Sequence, residues 1–170
     1  MAVSRYPWLQ GRRATLILAG LTLLVLVLSA PGALRDAYER GGFYLFSRAF
    51  FEDIPARLTG PGRFRFVLQP LVALVLGTRS GLADALAGRP PFLSGVLFQR
   101  GLRGELVRDS FETVVNLLLM GILMDAVFQW VILGISHPGA ALVVGPVLII
   151  LPYVLARAFS NRLARLRKDG

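Results

Sequence analysis

The chain has 170 residues, enough for one domain, and 55% of them are hydrophobic, which is high for a soluble protein of this size. It contains no cysteine, which excludes disulfides, thiolate metal ligands and cysteine nucleophiles. Its 19 basic residues outnumber 10 acidic ones, and all of the basic residues except Lys168 are arginine. Because these arginines flank apolar blocks, they suit lipid headgroups and topology control better than nucleic acid.

The first apolar block covers residues 14–30. A basic start followed by an apolar stretch is also typical of a secretory signal peptide. Cleavage is disfavoured, because Pro31 follows the small residue that ends the block and the bulky Leu28 lies three residues before the cleavage point. At ~1.5 Å per residue the block extends about 26 Å, which suffices for a thin bilayer. The sequence therefore predicts a retained transmembrane helix over residues 14–34.

Residues 40–58 mix aromatic and arginine side chains. Such rings and cations favour the headgroup level of a bilayer, where a ring is half inserted and a cation reaches water. This pattern predicts an interfacial amphipathic helix with Arg48, Phe50 and Phe51 among the lipid headgroups. The alternative is a short helix that packs on the rest of the protein.

The block at residues 64–88 is harder to interpret. Its apolar run, residues 66–77, contains Gln69-Pro70 and ends before Arg79. Runs of ~10–14 apolar residues are more often re-entrant or interfacial than spanning. A tilted span in which Arg79 reaches towards water is the alternative.

The remainder of the chain predicts a helical hairpin. Residues 97–112 form an amphipathic, charged cytoplasmic segment, and residues 113–135 and 140–160 are two spans joined by a tight turn. Residues 161–170 form a basic tail. The turn carries no lysine or arginine, whereas residues 157–168 carry five, so the C-terminus is predicted to be cytoplasmic.

The predicted fold is all-α integral membrane, with three firm transmembrane helices, one short or re-entrant hydrophobic helix and one interfacial helix. The number of times the chain crosses the membrane decides on which side of the membrane its first residues lie. The balance of basic residues mildly favours the re-entrant alternative, which has an outward beginning. Arg12 and Arg13, directly before the first block, favour the opposite orientation.

Asp125 is the most informative polar residue, because it lies next to the middle of the block at residues 113–135. An ionised carboxylate there costs about 2.5–3.5 kcal/mol. Gly121, Asp125 and Gln129 recur every four residues and so share one helical face, which suits contact with a neighbouring helix. Asp125 is therefore expected to form an ion pair or hydrogen bond within the bundle, to contact another membrane protein, or to be a proton or cation site.

Within the bundle, Arg79 and Arg157 are the candidate partners of Asp125. Near the cytoplasmic end, Tyr153 and Arg157 lie four residues apart and are predicted to anchor the interface, with Arg162 and Arg165 among the headgroups. His137 lies in the tight turn and is expected to be exposed. Since it has no second ligand at a suitable spacing, neither a metal site nor a cofactor is predicted.

Three stretches resemble a widespread family of small, uncharacterised bacterial integral membrane proteins. They are Gln69-Pro70 with residues 79–84 and 88–91, Asp125 with Gln129, and Pro152-Tyr153 with Arg157 and Asn161-Arg162. The resemblance covers about the last 110 residues of the chain. It implies a bacterial membrane protein and no particular activity.

From these patterns the expected function is a non-catalytic accessory or assembly subunit of a complex in the bacterial inner membrane. The expected partners are membrane lipids and either other membrane subunits or a second copy of this chain. The alternative is a small oligomeric transporter or channel subunit that uses Asp125. An intramembrane enzyme acting on lipid ranks third, because no nucleophile and base are visible together.

Overall fold

The structure is a computed structural model that describes residues 12–169, and every regular element in that range is a helix. The helices are α1 (Arg12–Arg40), α2 (Arg48–Glu52), α3 (Ile54–Thr59), α4 (Arg65–Leu86), α5 (Phe92–Phe98), α6 (Arg100–Leu133) and α7 (Pro138–Asp169). Four of them, α1, α4, α6 and α7, are long and apolar enough to cross a membrane. The all-α prediction is confirmed. The last residue of the predicted basic tail, residue 170, lies outside the described residues.

Helix α1 is longer than the apolar block that predicted it, because its last turns are stabilised by charged pairs. Arg35 pairs with Glu39 at 2.8 Å, and Arg40 pairs with Asp36 at 2.7 Å, each across one helical turn. The helix ends at Gly41, whose φ of +73° suits a residue without a side chain.

The segment predicted as one interfacial helix at residues 40–58 instead contains the end of α1 and the two short helices α2 and α3. Ser47 caps α2, because its Oγ accepts a hydrogen bond from the Phe50 N–H at 3.3 Å. Helix α3 starts afresh with Pro55 in its first turn, where the missing N–H has no cost. Local capping therefore divides a stretch that composition alone treats as continuous.

Helix α4 is a single helix of 22 residues that continues through Pro70. At ~1.5 Å per residue it extends about 33 Å, close to the thickness of a bilayer core. It is therefore longer than the apolar run of residues 66–77, because it includes the polar residues on both sides of that run.

Helix α6 joins two segments that composition separates. From Arg100 the amphipathic segment continues without a break into the apolar span, and the helix has 34 residues. No glycine or proline occurs at residues 105–120, so nothing ends the helix there. Gly134, at a φ of +72°, begins the hairpin turn. Beyond that turn α7 continues to Asp169, and residues 161–169 of the tail are part of the same helix.

The helices form two compact units. The described residues of the first unit are 12–63 and 116–146, and those of the second are 64–115 and 147–169, so that α6 and α7 contribute to both. In the first unit α1 runs parallel to α6, since Thr22 lies near Leu119 and Asp36 lies near His137, beyond the end of α6. In the second unit α4 runs parallel to α7.

Helix α1 contacts the rest of its unit through a narrow stripe. Only 11% of the residues in its most apolar stretch are buried, against 28% in α4 and α7 and 33% in α6. The buried positions include Thr22 and Ser29, two turns apart on one face, whose hydroxyls each donate to a carbonyl of α1 itself at 2.7 Å. Most of the apolar surface of α1 is therefore exposed.

Candidate functional site

The first unit contains a buried group of polar side chains, which we call the Asp125 network. Its members are Asp36, Tyr44, Asp53, Arg57, Asp125, Gln129 and His137. Asp125 is almost completely buried. Its Oδ2 accepts a hydrogen bond from Gln129 Nε2 at 2.7 Å and lies 3.4 Å from Nη1 of Arg57. A carboxylate deep in an apolar helix is thus matched with a cation and a hydrogen-bond donor, as its burial requires.

Arg57 enters this network from the six-residue helix α3 and is also buried. Its Nη2 donates to the hydroxyl of Tyr44 at 3.1 Å, and that hydroxyl donates to Oδ2 of Asp53 at 2.8 Å. The guanidinium also lies over the rings of Tyr44 and Phe50, at 5.7 and 5.5 Å from their centroids. Its Nε makes no hydrogen bond to any described residue. Only some of the N–H donors of the Arg57 guanidinium therefore have a hydrogen-bond partner among the described residues.

His137 is buried, contrary to the exposed position expected for a residue of the hairpin turn. Its ring stacks on Tyr44 with centroids 3.8 Å apart, its Nε2 lies 3.0 Å from Oδ2 of Asp36, and its backbone N–H donates to Oε1 of Gln129 at 2.9 Å. The expectation is wrong because the end of α1 and the loop that carries Tyr44 cover this turn.

Burial changes the acid–base behaviour of two groups in this loop region. It lowers the pKa of His137 below the ordinary value of 6.5, and the hydrogen bond with Asp36 opposes that shift only in part. Burial and the hydrogen bond to Asp53 raise the pKa of Tyr44 to about 12. The neutral forms of both side chains are therefore favoured near neutral pH.

The cation beside Asp125 is not one of the two arginines suggested by the sequence. Arg79 is exposed, and Arg157 lies with a different set of carboxylates in the second unit. Arg57 is 68 residues away from Asp125 in the chain and belongs to the segment predicted to be interfacial. No local pattern identifies such a distant partner.

The second unit contains its own buried polar group, the Arg157 network, formed by Asp84, Asp109, Ser110, Tyr153 and Arg157. Arg157 is fully buried. Its Nε donates to Asp84 at 2.7 Å, its Nη2 to Asp109 at 2.9 Å, and its Nη1 to the hydroxyls of Ser110 and Tyr153 at 2.7 and 3.1 Å. The interface-anchor role predicted for Tyr153 and Arg157 is wrong for this structure, because both side chains point into the protein.

Two glycines bring α4 and α7 close enough to form this network. A Cβ atom at Gly77 would overlap the carbonyl oxygen of Tyr153, and one at Gly81 would overlap that of Arg157. The four-residue spacing of these glycines is a known pattern for close helix contact in membranes. It is the sequence signal from which the contact of α4 with α7 could have been predicted.

Around the Arg157 network, Arg89 connects the loop after α4 to neighbouring elements. It lies 2.5 Å from Glu105 and 3.7 Å from Asp84. Its carbonyl oxygen accepts hydrogen bonds from Asn161 and Arg165. Arg165 therefore binds protein atoms, whereas Arg162, also predicted to contact headgroups, is exposed.

The remaining predicted residues divide between the surface and the interior. Arg48 and Phe51 are exposed, and Arg48 pairs with Glu52 at 2.6 Å. Phe50 is buried against Tyr44, so it does not reach the surface as predicted. The backbone of Gly121 lies directly against Gly145 of α7, so the stripe of Gly121, Asp125 and Gln129 faces protein.

Both networks place opposite charges next to one another in the interior. Such pairs orient the helices that carry them, and breaking one of them is costly. Within residues 12–169, no group of three or more His, Asp or Glu side chains is arranged to hold a metal ion. No protein-family model, curated protein or solved structure matches this chain.

Proposed function

We propose that the protein is a non-catalytic accessory or assembly subunit of a bacterial inner-membrane complex. The proposal is supported by a contrast between the interior and the surface. Two ionisable groups buried in the long helices are matched within the chain: Asp125 with Arg57, and Arg157 with Asp84. Helix α1, in contrast, leaves most of its apolar surface open. Contacts with other molecules are therefore expected at a surface rather than at an internal reaction centre.

The contact surface that we propose is the outward face of α1, and its occupant is a transmembrane helix of another subunit. Ile17, Leu23 and Leu28 are among the large apolar residues exposed there. Lipid tails would also cover this face. A helix that has so few contacts with its own chain, however, offers a large area for van der Waals packing with a neighbour, which drives helix association in membranes.

We further propose that all four long helices cross the membrane, with the C-terminus in the cytoplasm. Helix α4 runs beside α7 in the same direction, as Gly77 facing Tyr153 and Gly81 facing Arg157 indicate. A re-entrant segment would turn back within the bilayer, whereas α4 continues for 22 residues. Since α1 is parallel to α6, and α6 and α7 form a hairpin, α1 then begins on the cytoplasmic side.

The decisive experiment is purification of the tagged protein from its native membranes in mild detergent, after photo-crosslinking from position 17 on α1. Position 151 on α7, which is also an exposed apolar position, is the matched control. We expect one stoichiometric partner that crosslinks strongly from position 17 and weakly from position 151. Crosslinks to lipid alone at both positions, with no co-purifying protein, would contradict the accessory role.

The second candidate function is a small oligomeric transporter or channel subunit. The observation in its favour is that Asp125 belongs to a hydrogen-bonded series that continues through Gln129 to the backbone of His137. If Asp125 served transport, Asp125→Asn would abolish flux in proteoliposomes while the assembly remained intact. If Asp125 holds the subunit together, Asp125→Ala should lower co-purification of the partner. Wild-type behaviour of both variants would contradict both roles.

A further inference from the structure

The second unit has more arginines than acidic partners at one end of its long helices. The end of α4, the beginning of α6 and the end of α7 meet there, because Arg157 contacts both Asp84 and Asp109. Every carboxylate whose side chain is described in this unit is ion-paired: Asp84, Glu105, Asp109 and Glu112. Four arginines of the unit are exposed and have no acidic partner among the described residues: Arg79, Arg100, Arg103 and Arg162.

Helix α5 adds exposed apolar surface next to these arginines. Leu93 and Leu97 lie one turn apart on one face, and Leu97 is 63% exposed, while Phe98 at the end of the helix is 81% exposed. The opposite face is buried against the unit, since Gly95 lies against Leu106 of α6. Helix α5 is thus anchored on the start of α6, with Leu97 and Phe98 directed outward and Phe92 buried.

On one exposed face of the first turns of α6, basic residues are followed by apolar ones, while the adjoining exposed face has the Arg108–Glu112 ion pair. Arg100, Arg103, Val107 and Phe111 follow one another at intervals of three and four residues, and all of them are exposed. A helix that enters a bilayer shows this order, with cations at the headgroups and apolar side chains one turn deeper. This order therefore places the headgroup level near Arg103.

We propose that α5 and the first turns of α6 form a binding surface for anionic phospholipid headgroups. Helix α5 lies in the plane of the interface, with Leu97 and Phe98 between the acyl chains, and Arg100 and Arg103 contact the phosphates. Arg162 adds positive charge at the same end of the unit. An acidic protein or a nucleic acid would also complement the positive charge of this surface. Only a lipid surface, however, also explains the change from basic to apolar side chains along α6.

This inference is independent of the accessory-subunit role and requires only that α6 and α7 cross a membrane. A basic residue close to an anionic surface strengthens binding about five-fold, so the arginine pair at positions 100 and 103 should contribute about 25-fold. The attraction is electrostatic and should weaken as the ionic strength rises.

The first test measures lipid binding directly. The full chain is placed in phosphatidylcholine nanodiscs with increasing phosphatidylglycerol, and the phosphatidylglycerol that remains bound is counted by native mass spectrometry. We expect Arg100→Gln/Arg103→Gln to bind phosphatidylglycerol about 25-fold more weakly than wild type. The matched control is Arg63→Gln, because Arg63 is also exposed and has no acidic partner among the described residues. An unchanged affinity in the double variant, or an equal loss in the control, would overturn the proposal.

The second test locates α5 without removing a charge. The chain has no cysteine, so Phe98→Cys provides a single labelling site for an environment-sensitive fluorophore. We expect quenching by nitroxides on the upper part of the acyl chains in anionic nanodiscs and protection from iodide in the water. Quenching by iodide alone would overturn the proposal. A label that is protected in native membranes but exposed to water in pure lipid would also overturn it, because a protein would then cover this surface.

Discussion

The two buried networks each hold an ion pair in the protein interior, but different structural elements supply the charged side chains. In the Arg157 network the guanidinium donates four hydrogen bonds of 2.7–3.1 Å, and all acceptors lie on the long helices α4, α6 and α7. In the Asp125 network the cation comes from the short helix α3, lies 3.4 Å from the carboxylate and leaves its Nε without a hydrogen bond to the described residues. In this protein the long helices therefore give the buried arginine more hydrogen bonds than the short helix α3 does.

The two networks also differ in their response to pH. The Asp125 network contains His137, the single histidine of the chain, whereas the Arg157 network combines an arginine with carboxylates and hydroxyls. Histidine is the side chain that changes charge nearest to neutral pH. Mild acid should therefore affect the first unit before the second.

The largest effect is expected from Arg157→Ala. This variant leaves Asp84 buried with Arg89, at 3.7 Å, as its remaining ion-pair partner among the described residues, and removing one partner of a buried ion pair costs about 3–5 kcal/mol. The expected result is a large fall in the free energy of unfolding in detergent, or a loss of the monodisperse peak in size-exclusion chromatography. Arg162→Ala, at an exposed position without an acidic partner, is the control and should change stability by less than about 0.5 kcal/mol.

The same measurement on Arg57→Ala tests the comparison itself. Hydrogen bonds to charged groups contribute about 1.5–3 kcal/mol, and Arg57 makes a longer contact and fewer of them than Arg157 does. We therefore expect a loss of about 2 kcal/mol, smaller than that of Arg157→Ala. If Arg57→Ala were the more destabilising variant, the proposed difference between the networks would be incorrect.

A somewhat smaller effect is expected from Gly81→Ala. The added methyl group would overlap the backbone carbonyl of Arg157 and separate α4 from α7, at a cost of about 1–3 kcal/mol. Gly20→Ala is the matched control, because a Cβ atom at that position in α1 meets nothing within 4 Å. Thermal unfolding of both variants measures the difference. Equal midpoints would show that the close approach of these helices is not needed for the Arg157 network.

The smallest effect is the pH dependence caused by His137. Because its pKa is below 6.5 in the folded protein, the unfolded chain takes up a proton first as the pH falls through 6.5. The free energy of unfolding should therefore be constant above that pH and decrease below it, by at most about 1.4 kcal/mol per pH unit. His137→Gln should remove this slope in unfolding curves measured between pH 5 and 8, because the chain has no other histidine. A slope that persists in the variant would assign it to another group.

Much of the fold follows from composition read along the chain. Inside a bilayer every backbone polar group must be satisfied within its own segment, so an apolar block of sufficient length predicts a helix without reference to the rest of the protein. The first block, the hairpin and its turn were predictable for this reason. The full lengths of α1 and α6 were not, since charged pairs extend α1 beyond its apolar block and no glycine or proline at residues 105–120 ends α6.

The candidate site could be identified only from the sequence and the tertiary structure together. The sequence by itself determined that Asp125 needs a partner, because an isolated carboxylate in an apolar helix is unstable wherever the helix packs. Only the tertiary structure decided that the partner includes Arg57, which is 68 residues away, and that His137 is buried instead of exposed. The physical reason is that desolvation depends on one residue and its helix, whereas the choice of a partner depends on how distant segments meet.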